Sequence, residues 1–212
     1  NTANGTIKTN GGVIVDVTLV VTGPIELTLA QISDTDKLLY GLKGYIGSFS
    51  APFATEIPTG VEAYYATSKD NMGYITLTPC VAIGTSAKGV PANFGVILVS
   101  QNQNITMEPA SGHIDTPANN VFGNSASEAV VMGDNCYVLA NGDDGIGFYL
   151  ATKGTTLKTG KAYIQLSNSS QTSALRLVLD ETVTGINGVA TEKVDAPIYD
   201  LSGRRVLNTV KG

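Results

Sequence analysis

The sequence predicts an all-β fold: a β-sandwich or Greek-key barrel of antiparallel strands, followed by a short C-terminal β tail. Three observations carry that reading. Apolar residues recur at every second position along much of the chain, the period of a strand with one face buried. Glycine is abundant, at 24 of 212 residues, and only 15% of residues are charged, a composition that suits strands joined by tight turns. No stretch repeats apolar residues every 3.6 positions between recognisable caps, so helices are not expected.

The strands follow in order. Val13, Val15, Val17, Leu19 and Val21 share one face, with Asp16 and Thr18 on the other. The break at Thr22–Gly23–Pro24 ends this run. Ile25, Leu27 and Leu29 then alternate with Glu26 and Thr28, predicting a second strand folded back on the first as a hairpin. Residues 1–37 therefore read as N-terminal strands, either part of the sandwich or the end of an upstream domain. Further strands are predicted at 61–67, 74–78, 95–99, 129–132, 136–139, 146–150, 162–166 and 175–179. In the last, Leu175, Leu177 and Leu179 share a face. Asn141–Gly142 and Asp144–Gly145 supply turn residues tolerant of positive φ between two of these strands. Only residues 117–128 leave room for one helical turn. The sandwich spans 38–180, a Gly-, Thr- and Val-rich linker covers 181–195, and a compact tail segment occupies 196–212.

Composition narrows the function. A hydrophobic fraction of 42% is enough for a real core. The net charge of −5, with basic residues scattered apart from Arg204–Arg205, argues against a nucleic-acid partner, since no basic stripe is present to neutralise phosphates. No window approaches the roughly 18 apolar residues that a transmembrane helix needs. The chain starts at Asn1 without methionine, which reads as a mature or excised fragment whose targeting segment lay upstream.

Each candidate for chemistry has a plainer reading beside it. Cys80 and Cys136 lack any metal-ligand spacing. They are either two buried thiols, the preferred reading, or a disulfide worth about 4 kcal/mol on the chain-entropy model. Ser111, His113 and Asp115 have the residue types of a hydrolase triad. In extended chain, however, all three project to one side in a row, and no G-x-S-x-G elbow surrounds the serine; a polar loop is the better reading. Asp34 and Asp36, and Asp143 with Asp144, form acidic loops able to offer oxygen to Ca²⁺, yet neither matches a calcium-loop pattern. No carboxylate pair stands out as a glycosidase acid and nucleophile. Tyr40, Tyr45, Tyr64, Tyr65 and Tyr74 either pack structurally on strands or form a sugar- or protein-binding platform, with the absence of tryptophan weighing against sugar. Sequons occur at Asn4, Asn104 and Asn168, and matter only on a eukaryotic secretory route. Arg204–Arg205 is a solvated strand end or a protease-sensitive pair. The expectation is no catalytic residue, no metal and no cofactor.

The segment IYDLSGRRV at 198–206 resembles the opening of C-terminal sorting tails on secreted and surface proteins of Bacteroidota. Upstream, YIGSFSAPFATEIPTGVEAYYAT (45–67), VPANFGVILV (90–99) and YVLANGDDGIGFYLATKGTTLKTGKAYIQL (137–166) are similar, in the same order, to the β-rich domain that often precedes such tails. The resemblance covers about residues 38–212; the family's final tail strand would begin where Gly212 stands, and residues 1–37 have no counterpart. It implies type IX secretion, an extracellular or outer-surface location, and a non-catalytic accessory or adhesion module at the C-terminal end of a larger protein. Its partner would be a surface protein or glycan. The alternative is a carbohydrate-binding module attached to a glycan-degrading enzyme.

Overall fold

A computed structural model describes residues 2–10, 13–70, 73–80, 89–167 and 172–180, and the backbone at 198–199 and 205–206; side chains are described from Thr22 to Asp180 within those ranges. All regular structure among the described residues is β. The strands are β1 (Thr2–Asn10), β2 (Val13–Thr22), β3 (Ile25–Thr28), β4 (Ala30–Gln31), β5 (Leu39–Tyr40), β6 (Tyr45–Phe49) and β7 (Thr55–Glu56). They continue with β8 (Val61–Lys69), β9 (Tyr74–Pro79), β10 (Gly89–Val90), β11 (Val96–Ser100), β12 (Asn104–Met107), β13 (Phe122–Asn124) and β14 (Val130–Val131). The last are β15 (Cys136–Gly142), β16 (Gly145–Leu150), β17 (Thr156–Leu157), β18 (Ala162–Gln165), β19 (Ala174–Leu179), β20 (Ile198–Tyr199) and β21 (Arg205–Val206).

One eleven-stranded sheet dominates, in the order β13-β18-β15-β16-β19-β9-β8-β11-β6-β4, with β5 also paired to β19. β9, β8, β11, β6 and β4 lie on one side of β19, and β16, β15, β18 and β13 on the other, where β5 also pairs with it, so β19 joins the two halves. Pairing is antiparallel along this sheet except at β19, which runs parallel to β9 through Leu177↔Ile75 and to β5 through Leu177↔Leu39. Leu175 and Leu177 are wholly buried, as their alternation with exposed Arg176 predicts.

Two apolar cores flank the centre of this sheet. In β11, Ile97 and Val99 pack into the larger core, while Val96 and Leu98 pack into the smaller. That double burial explains why β11 reads as a continuous apolar run, not an alternating one. The larger core draws on both halves: Ile46, Ile75 and Ile97 from one, Tyr137, Phe148 and Ile164 from the other. Phe122 and Phe148 stack there with centroids 5.6 Å apart. The smaller core is covered by β3, β12 and their neighbours, with Met107 and Phe49 at its centre.

Several local expectations change. β2 pairs with β1, and among the described residues these two strands pair only with each other. β3 pairs instead with β12, Leu27 opposite Ile105, so no hairpin joins it to β2. Residues 117–128 hold strand β13 and no helical turn. The hairpin between β15 and β16 turns at Asp143–Asp144, with Asn141 and Gly142 inside the strand. Gly145 takes φ +85° just after the turn, the left-handed position that glycine fills without strain. The linker at 181–195 lies outside the described residues, as does most of 196–212. Within that tail, Ile198 pairs with Val206 and Tyr199 with Arg205.

Candidate functional site

Ser111, His113 and Asp115 are not assembled as a triad. Ser111 donates both its backbone N–H (3.1 Å) and its hydroxyl (2.9 Å) to Glu56 Oε1. Those two bonds hold the exposed Glu56 carboxyl below its ordinary pKa. His113 instead meets Asp115, Nε2 to Oδ1 at 3.2 Å, with the imidazole largely exposed. The serine is thus engaged by a carboxylate, not by a base, and the group fastens the 108–115 loop to β7.

The acidic loops are likewise turned to structure. Asp36 accepts the N–H of Ser33 through Oδ2 and that of Ile146, at 2.9 Å, through Oδ1. Lys37 pairs with Asp144 at 3.5 Å. The 33–37 loop is therefore seated on the β15–β16 turn, and one aspartate is consumed in holding it there. Among the described residues, no three His, Cys, Asp or Glu side chains are placed to share a metal ion.

Cys80 and Cys136 are both buried and unlinked. Cys80 belongs to the smaller core, where burial pushes its thiol up to about 12. Cys136 lies on β15, with Sγ 3.1 Å from Gln165 Oε1. Neither thiol has the exposed, electropositive setting of a reactive cysteine.

The five tyrosines separate into different roles. Tyr74 lies under the Arg176 guanidinium, 5.7 Å from its ring centroid. Tyr65 packs on Phe94 with centroids 5.9 Å apart. Tyr40 is 72% exposed on β5. Tyr45 is half-buried against the smaller core. Tyr64 is buried at 7% exposure and donates its hydroxyl to Glu62 Oε2 at 2.6 Å. Burial, then the Glu62 hydrogen bond and charge, raises the Tyr64 pKa, so the phenol keeps its proton.

Tyr64 and Glu62 belong to the candidate site, a cleft of about 470 Å³. Its position follows from the sheet. Antiparallel neighbours bring the start of β6, the start of β8 and the end of β11 to one margin: Ser100 faces Tyr45 on one side and Val61 on the other. β19, parallel to β9, ends at the same margin and contributes Leu179. The 41–44 loop closes one flank. Gly44, at φ +94°, approaches the Ser100 carbonyl so closely that a Cβ would collide with it. Leu42, Val61, Tyr64 and Val99 are buried beneath the cleft, while Lys43, Glu62 and Gln101 are exposed at its rim. The result is an apolar floor with a carboxylate, an ammonium and an amide around it, within the size range of small-molecule sites.

Sequence reasoning drew attention to Tyr64 but not to Lys43, Glu62 or Gln101. Each is an ordinary surface residue in its own segment, and only strand pairing gathers them. Neither a protein family, nor a curated protein, nor a solved structure gives a match to this chain. No helix among the described residues is long and apolar enough to cross a membrane, which leaves membrane crossing by strands unaddressed.

Proposed function

We propose that this chain is a non-catalytic accessory module of adhesion type, at the C-terminal end of a larger secreted or cell-surface protein. Its place of work is the extracellular space or the outer cell surface, reached by type IX export. The observation that carries the reading is the block IYDLSGRRV, whose backbone pairs as a hairpin through Ile198↔Val206 and Tyr199↔Arg205. That block resembles a sorting tail, and it follows a β body ending at β19. The polar groups best suited to chemistry support the reading further, because Ser111 and Asp36 are committed to holding loops in place.

The test is direct binding and turnover by the purified chain. Immobilised surface proteins and glycans are offered in parallel, and micromolar retention of one class without turnover is the expected result. Hydrolysis of any offered substrate by a homogeneous sample would sink the reading. A second reading, a carbohydrate-binding module serving a glycan-degrading enzyme, is favoured by one feature: the mixed cleft around Tyr64 and Glu62.

A further inference from the structure

We infer that the cleft at the margin of β6, β8 and β11 binds a short segment of neutral oligosaccharide, with Glu62 accepting sugar hydroxyls and Lys43 and Gln101 donating to sugar oxygens. The inference rests on the carbohydrate-binding reading and assigns it a place and a ligand chemistry. Sugars combine hydroxyls that both donate and accept with C–H faces that prefer apolar contact. A fitting site therefore needs an apolar floor and a rim carrying both donors and acceptors.

The cleft supplies both. Its floor is the end of the larger core, where Leu42 and Val99 are each 6% exposed. The Glu62 carboxylate offers about four lone-pair positions, of which the Tyr64 hydroxyl occupies one, leaving acceptor capacity towards the cleft. The Tyr64 hydrogen bond also orients that carboxylate, which lowers the freedom it has to lose on binding. Lys43 and Gln101 make no hydrogen bond or ion pair with described residues, so their donors stay available. Gly60, at φ +81°, has nothing within 4 Å of where a Cβ would stand, which keeps one side of the cleft open. One carboxylate and one ammonium offset each other, favouring an uncharged ligand over a sialylated or sulfated one.

The experiment places the whole chain on an array of neutral and anionic oligosaccharides. The best neutral binder is then titrated while backbone amide shifts are followed by NMR. Retention of neutral glycans is expected, with shifts concentrated at Gly41, Gly60 and Gln101. Glu62→Gln and Gln101→Ala should each weaken binding by about tenfold or more. Both residues are exposed, and unchanged unfolding temperatures would confirm that the fold is intact. A preference for anionic glycans overturns the inference, as does neutral-glycan binding that neither substitution weakens. In the latter case carbohydrate binding stands and only the cleft assignment fails. If no glycan is retained, the carbohydrate reading falls together with the inference.

Discussion

Asp36 accepts the backbone N–H of Ile146 at 2.9 Å, joining residues 110 positions apart in the sequence. This contact ties the loop before β5 to the hairpin of β15 and β16, and so links one half of the sheet to the other. Removing a charged acceptor from a part-buried N–H costs about 1–3 kcal/mol. Asp36→Ala should lower stability by that amount in urea unfolding, and Lys37→Ala, which breaks only an exposed pair, by less than about 1 kcal/mol.

Gly145 tests the same junction from the other side. It holds φ +85°, and a Cβ there would run into the Asp36 carboxylate. Gly145→Ala should destabilise by more than about 1 kcal/mol through backbone strain alone. In the Asp36→Ala background the added cost of the alanine should shrink, because the clash is gone. A double-mutant cycle reads that coupling, and strict additivity would argue against the contact.

How much of this was legible beforehand depends on whether the determining contacts are local. The β15–β16 hairpin lies within one short stretch, and alternation with turn residues located it, although the turn falls at Asp143–Asp144. β19 was legible from Leu175 and Leu177. The partner of β3 was not, because Thr28 and Asn104 stand 76 positions apart and nothing near Ile25 encodes that register. Strand β6 was missed as an alternating run: Ser48 and Phe49 are both buried, one on each face, since this strand too lies between the two cores. The cleft was invisible for the same reason. Gly41, Glu62 and Gln101 become neighbours only once three strand ends share a margin.

Tyr64 sets an alkaline limit on stability. Its folded pKa is raised, so the stabilisation is fully present below the phenol's unfolded value, about 10, and is lost as pH rises towards the higher folded value. Cys80, pushed up to about 12, loses stability in an overlapping window. Unfolding free energy should therefore fall progressively from above the ordinary thiol range. Tyr64→Phe should flatten the part contributed by the phenol, and Cys80→Ala the part contributed by the thiol.

Glu56 acts at the opposite end of the pH scale. Two hydrogen bonds from Ser111 lower its pKa, so this contribution is present above the ordinary carboxylate value and disappears as pH falls through the lowered one. The Ser111 amide resonance should move in that acidic window. Glu56→Gln should abolish the transition while leaving the body of the protein folded.

Phe148 anchors the larger core, fully buried and stacked on Phe122. Phe148→Ala should cost about 3–5 kcal/mol. Tyr137→Phe should cost about 1–2 kcal/mol, since it removes only the hydroxyl donated to the Thr172 carbonyl at 2.9 Å. Chemical unfolding of both variants would rank the two effects.

The place of β19 bears on the order in which such a chain can fold. The strands from β9 to β4 lie to one side of it and those from β16 to β13 to the other, yet the strand itself comes last of all of them in the chain. A chain emerging N-terminus first from a ribosome therefore exposes two unfinished sheet edges until residue 179 is free. Until then Leu175 and Leu177 are missing from the larger core that both halves share. Arrival of six residues, Ala174–Leu179, then completes both the sheet and the core.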